Sequence, residues 1–145
     1  MIDAHGGVDV LVNVAGGFAF ETLSGGSLDT WARMQAMNLV SNATITKLAL
    51  PALSMSAAGR IINIGAGAAV RAAFGMGAYA AAKSGVHRLT EALAEEVADA
   101  GITVNAVLPS IIDTPTNRAD MPDADFSGWV QPAAVADVIV FLASP

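Results

Sequence analysis

Tyr79 and Lys83 are the two residues best suited to chemistry in this sequence. They stand four apart in a stretch read as helix, which puts them on one face a single turn apart. Tyr79 is the only tyrosine in the chain. A phenol, with a pKa near ~10, donates a proton poorly at neutral pH unless a nearby cation lowers that value. An ammonium one turn away is such a cation, so the pair offers proton transfer to a bound molecule. The bland alternative is a surface lysine and a half-buried tyrosine sharing a helix. Ala78, Ala80, Ala81, Ala82 and Ser84 around the pair are all small, which suits close approach of another helix or a flat ligand. Asn38, in Met37-Asn38-Leu39, falls inside a second helical stretch, where an amide is disfavoured unless it has something to bind. Its alternative reading is a bond to its own helix backbone. Asn13, at the end of an apolar strand, must also be satisfied, if only by a neighbouring strand or turn.

The elements that position these residues follow from apolar patterning. Val8–Val14 is short, β-branched and almost wholly apolar, and predicts a buried strand ending at Ala15-Gly16-Gly17. After a Gly/Ser linker at Ser24–Ser27, either Ser27 or Asp29 can cap a helix that starts near Leu28. That helix is expected to run, with an irregularity, to about Met55, with Gly59 as its stop. Arg60–Ile64 predicts a second strand, and the loop Arg71–Gly77 leads to an Ala-rich helix over Ala78–Ala100 that Gly101 ends. Thr103–Leu108 is a third strand, closed by Pro109. Ser110–Pro132 reads as irregular, and Ala133–Ala143 as a last short helix. Apolar strands alternating with long helices predict an α/β fold with a parallel sheet and right-handed crossovers. Ligands in such sheets sit beyond the carboxyl ends of the strands, which singles out Asn13–Gly17, Ile64–Gly67 and Leu108–Thr114.

Composition narrows the function. The 145 residues are 54% hydrophobic and 14% charged, which suits one packed domain and excludes a disordered chain. A net charge of −6 without a basic run argues against a nucleic-acid partner. There is no cysteine, so a disulfide scaffold, a zinc-thiolate site and a cysteine nucleophile are excluded, and the cytoplasm is the default location. No apolar run approaches the ~20 residues of a membrane span, so no membrane is expected and the apolar excess belongs in a core or an oligomer interface. Met1–His5 does not read as a signal peptide. No metal site is expected: Asp120, Asp123 and Asp125 lack the glycine and closing glutamate of a calcium loop, and His5 and His87 are far apart. His87 shares the Tyr79 helix eight residues on and reads as a partly buried or surface histidine. Gly65-Ala66-Gly67 follows a strand, but the third glycine of a dinucleotide fingerprint is replaced by Val70, so it reads as a turn.

Together, Asn13-Val14-Ala15-Gly16, the mid-helix Asn38, Tyr79-Ala80-Ala81-Ala82-Lys83, and Pro109 with Thr114 five residues on resemble the ordered motifs of the short-chain dehydrogenase/reductase family. The likeness covers almost the whole chain. Asp113–Arg118, Met121–Trp129, Gly75-Met76 and Val86-His87 are similar to its dihydropteridine reductase branch. That branch also lacks the usual active-site serine thirteen residues before the tyrosine, where this sequence has Ala66.

The resemblance implies a Rossmann-like doubly wound sheet, here partial with about three strands, forming a single NAD(P)-binding domain over residues 1–145. It implies Tyr79 as general acid, Lys83 as the group that lowers its pKa and holds the nicotinamide ribose, and Asn38 as the holder of a relay water. It places Asn13, Ala15 and Gly16 on the adenosine side. Pro109, Ile112 and Thr114 fall near the nicotinamide and pyrophosphate end. The implied substrate is a small molecule, a quinonoid pterin or another carbonyl compound. The implied assembly is a homo-oligomer through the two long helices. The family's first strand, its glycine-rich phosphate turn and its ribose-selecting residue are expected before Met1, and a seventh strand after Pro145. The choice between NAD and NADP is therefore not readable, the first strand of this chain is expected to be a bare sheet edge that invites pairing with another chain, and the chain by itself is expected to bind cofactor weakly or not at all. Two alternatives stand beside this reading. One is a non-catalytic oligomerising or binding module of the same fold. The other is an unrelated α/β binding protein with accidental Tyr/Lys spacing.

Overall fold

The computed structural model describes residues 6–144, so His5 and the Met1–His5 segment lie outside it. The strands β1 (Val10–Asn13), β2 (Arg60–Ile64) and β3 (Thr103–Val107) form a parallel sheet in the order β1-β2-β3. Asn13 is paired with Asn63, and Ile64 with Val107, so all three strands reach the same carboxyl edge. Between β1 and β2 run α1 (Leu28–Met34), a π-helical turn (Gln35–Val40) and α2 (Ser41–Leu53). Between β2 and β3 runs α3 (Gly77–Glu96), and α4 (Pro115–Asp120) and α5 (Pro132–Ala143) follow β3.

Strand alternation divides the side chains between two layers. Leu11, Ile61 and Val104 face α2 and α3, where they pack with Leu50, Leu53, Leu93, Val97 and Ile102. Ile61, Ile62 and Leu53 are fully buried, each worth about 1.5–3 kcal/mol of burial. On the opposite face α5 lies against β2 and β3. β2 and β3 are therefore covered on both sides, as parallel strands require.

Most predicted elements stand close to their expected bounds. Ser27 caps α1 by accepting the Asp29 N–H (3.1 Å), and Gly101 takes the left-handed conformation (φ 69°) that ends the helical run after α3. The irregularity expected in the first long helix is the π-helical turn, and Asn38 sits inside it. Two expectations are corrected. The first strand is shorter than Val8–Val14 and only half-buried, because it is the edge of the sheet and α5 is laid over its neighbours. Ser110–Pro132 is not wholly irregular. Thr114 accepts the Asn117 N–H (3.2 Å) and Pro115 occupies the first turn, which together nucleate α4.

Candidate active site

The carboxyl edge of β1 and β2 faces the first half of α3. Here β1 turns away at Ala15-Gly16-Gly17, which is solvent-accessible at Ala15 and Gly16. Asn38, 1% exposed, reaches this turn from the π-helical segment. Its Oδ1 accepts the Gly17 N–H (3.1 Å), and its Nδ2 donates to the Gly17 carbonyl (3.0 Å) and the Met34 carbonyl (3.1 Å). The amide is thus bonded to both polar groups of one glycine. Both of its N–H donors go to protein carbonyls, so a relay water at Asn38 would have to sit on Oδ1 or on the main chain. Both readings of a mid-helix asparagine hold at once: it bonds its own helix and it braces a distant turn.

Lys83 comes from α3 and is 6% exposed. Its Nζ donates to the Ile64 carbonyl (2.7 Å), the last residue of β2. A Cβ on Gly16 would lie 2.6 Å from Asn38 Oδ1 and 3.4 Å from Lys83 Nζ. Gly16, Asn38 and Lys83 therefore meet in one place, and the missing side chain at Gly16 is what lets them. Burial pushes the Lys83 ammonium below its usual value.

Tyr79 lies one turn before Lys83 and packs edge-on against Phe18, with ring centroids 5.0 Å apart at 79°. On its inner side it joins Met34, Ala78, Ala82, Ala19 and Trp31. Burial pushes the phenol above its usual pKa near 10. Desolvation of the ring is the cause, while the Lys83 amine donates to the β2 carbonyl.

The remaining predicted residues divide. Asn13 Nδ2 lies within reach of Asn63 Oδ1 (2.9 Å), Thr46 Oγ1 (3.0 Å) and Asn42 Oδ1 (3.4 Å). Asn42 Nδ2 donates to Asn63 Oδ1 (3.1 Å), and Asn63 Nδ2 donates to Thr90 Oγ1 (2.9 Å). This network ties β1, β2, α2 and α3 beneath the site, so Asn13 braces the sheet. Sequence reasoning missed Asn42, Thr46 and Thr90; Asn63, a polar residue inside an apolar strand, was the visible signal. The Pro109 carbonyl accepts the Gly67 N–H (3.1 Å), which joins the loops after β2 and β3. Ile112 and Thr114 are not brought to Tyr79 by any polar contact: the Ile112 carbonyl accepts from Asn117 Nδ2 (2.7 Å) and Thr114 caps α4. Asp113 is held by Arg118 Nη2 (2.8 Å) and Gln131 Nε2 (2.8 Å), which bring its carboxyl down to about 2. Ala66 is buried and extended (φ −161°, ψ 145°), and its N–H donates to His87 Nε2 (3.4 Å).

The fit to a nicotinamide nucleotide can be tested on these residues. An open turn at Ala15-Gly16, a buried lysine with N–H donors left over, and a nearby phenol suit a ribose and a flat ring. The Gly65–Gly67 segment does not suit a pyrophosphate. It stays extended at Ala66 and passes into a short 3₁₀ turn (Gly67–Ala69) rather than opening a long helix.

The short chain dehydrogenase family profile matches residues 1–125. The chain belongs to the short-chain dehydrogenase family. It is 35% identical to the 3-oxoacyl-[acyl-carrier-protein] reductase FabG of Vibrio cholerae, over 99% of this chain and 62% of that protein. It is 38% identical to the D-beta-hydroxybutyrate dehydrogenase of Rhizobium meliloti, over 83% of this chain and 47% of that one. An acetoacetyl-CoA reductase of Allochromatium vinosum is 35% identical over 95% of this chain and 59% of its own length. The solved structure of ElxO with NADP bound superposes with a TM-score of 0.90 at 29% identity, covering 99% of this chain and 62% of that one. The chain thus spans about 62% of the length of the first of these relatives. None of these relatives is a dihydropteridine reductase.

Proposed function

We propose that this chain carries the proton-donating half of an NAD(P)-dependent short-chain reductase acting on a carbonyl compound. The observation that carries the reading is the meeting of buried Lys83 with the Gly16–Asn38 turn at the carboxyl edge of the sheet, one helical turn from Tyr79. Tyr79 is the proton donor at its Oη. Burial holds the phenol above its usual pKa, so Tyr79 rests protonated at neutral pH but is a weaker acid there, and proton donation relies on the Lys83 ammonium one turn away. Lys83 keeps one N–H on Ile64 and turns the others toward the ribose hydroxyls. Asn38 keeps the Gly16-Gly17 turn open, so that its role is positioning. Asn13 acts through the network below, while Ala15 and Gly16 offer backbone to the nucleotide. Pro109, Ile112 and Thr114 line the loop beyond β3 on the nicotinamide side. A bound nicotinamide supplies the hydride. NADP is favoured by the ligand of the similar ElxO structure.

The relatives' names point to a 3-oxoacyl thioester or a β-keto acid as substrate class. A quinonoid dihydropteridine is the second reading, favoured by Ala66 in place of the serine: an electron-poor acceptor needs a polarising hydroxyl less than a ketone does. Residues 1–145 form one domain in this reading. Homo-oligomer formation is supported by Met37, Val40, Ile45 and Leu48, all exposed along the first long helical run. No helix among the described residues is long and apolar enough to cross a membrane. A cytoplasmic location fits a cysteine-free enzyme. The test is loss of NADPH or NADH absorbance with acetoacetyl-CoA and, in parallel, quinonoid dihydropterin. Tyr79→Phe is expected to lower kcat about 100-fold or more. Equal rates for wild type and Tyr79→Phe on both substrates refute the assignment.

A further inference from the structure

β2 continues as extended chain past the end of β1. Its alternate backbone groups then face two sides. Gly65 N–H donates to the Val107 carbonyl (2.9 Å) and Gly67 N–H to the Pro109 carbonyl (3.1 Å), so these point toward β3. The Ile64 carbonyl and the Ala66 N–H point the other way, where β1 has already ended at Asn13. On that side the next partners come from α3. Lys83 Nζ donates to the Ile64 carbonyl (2.7 Å), and His87 Nε2 accepts the Ala66 N–H (3.4 Å). The polarity alternates as a missing strand's would: a donor for the carbonyl, an acceptor for the amide.

We infer that His87 is a positioning residue: with Lys83 it replaces the absent strand pairing of β2 and fixes the Ala66 turn at the substrate side of the site. The acceptor must be a neutral imidazole carrying its proton on Nδ1. Burial, with Arg88 next in effect and Lys83 adding to it against the opposing pull of Glu91, keeps the ring's pKa below its usual value. Space has been left for the ring: a Cβ on Gly65 would sit 2.4 Å from His87 Nε2. The turn carries alanine where the family's serine would stand, so residue 66 adds no side-chain hydrogen bond to its backbone anchoring and packing. The inference deepens the reductase reading and rests on it only for the effect on rate.

The test is amide exchange at Ala66, followed by NMR on the whole chain. In wild type the imidazole nitrogen shifts are expected to show the Nδ1–H form; the Nε2–H form overturns the inference, and this measurement needs no variant. His87→Leu, and separately Gly65→Ala, are expected to speed Ala66 exchange about tenfold, while His87→Gln, which keeps an acceptor, returns it to within about threefold of wild type. Unchanged exchange in His87→Leu, or equal loss across all α3 amides in His87→Leu and His87→Gln, refutes the clamp. In turnover, His87→Leu is expected to lower kcat with little change in nucleotide KM, and His87→Gln to restore it. Exchange that responds as expected in a protein without reductase activity refutes the functional reading and leaves the clamp standing.

Discussion

The Gly16–Asn38 contact allows a sharp test, because each partner can be removed alone. Gly16 is not among the glycines with positive φ, so an alanine there meets no backbone strain. What it meets is Asn38 Oδ1 at 2.6 Å, well inside normal contact. That oxygen cannot swing aside freely, since the amide makes bonds of 3.0–3.1 Å to Gly17 N–H, Gly17 C=O and Met34 C=O. Gly16→Ala must therefore push the amide off Gly17 or shift the turn, at a cost of about 1–3 kcal/mol. Asn38→Ala loses the same bonds, each worth about 0.5–1.5 kcal/mol net, though water reaching the half-exposed Gly17 returns part, so about 2 kcal/mol is expected. In the Asn38→Ala background the added methyl at Gly16 has room, and only the milder 3.4 Å approach to Lys83 Nζ remains. The double variant is then less destabilised than the sum of the singles by about 1 kcal/mol or more. Thermal or urea unfolding of the four proteins measures this; about 2 kcal/mol corresponds to roughly 6–10 °C in Tm at this chain length. Strict additivity would show that the two residues do not share one space, and the account of the turn would fall with it.

Three further outcomes are expected. Ultraviolet titration of the single tyrosine should give a midpoint above that of a free phenol at ~10, and a midpoint below it contradicts the desolvated placement of Tyr79 against Phe18. Asn63, fully buried, accepts from Asn13 and Asn42 and donates to Thr90, so Asn63→Leu should cost about 3 kcal/mol or more in unfolding, with Ile62→Val costing about 1 as the apolar control on the neighbouring position. The Asp113 carboxyl, held near 2 by Arg118 and then Gln131, is ionised in the folded state down to lower pH than in the unfolded chain. Its contribution is present above the unfolded value near 3.8 and lost as pH falls toward 2, so Asp113→Asn should flatten stability across that window; an unchanged acid limb refutes the pairing.

Much of the fold was legible because the core is built from local patterns. Runs of β-branched residues marked β2 and β3 almost to the residue, and the long α3 was announced by its alanines and its terminal glycine. α4 was missed because its signal is a single Thr-Pro pair at the start of one short helix, too brief for periodicity to register. The apolar run at β1 by itself predicts burial, which holds only where another layer exists to cover it; the bare sheet edge there followed from the resemblance and not from the pattern.

Chemistry divides along the same line. Residue order alone determined that a phenol and an ammonium share one helix face, that an asparagine interrupts another helix, and that both stand near strand ends. Tertiary structure decided what these groups touch. It sent the Lys83 amine to the Ile64 carbonyl, spent the Asn38 amide on Gly17, drew Asn13 into a network with residues up to 50 positions away, and set His87 beneath Ala66. The reason is physical: spacing along a helix fixes direction, whereas desolvation and hydrogen-bond partners depend on which strands end beside it. For Tyr79, burial works against the lowering that a nearby cation would bring.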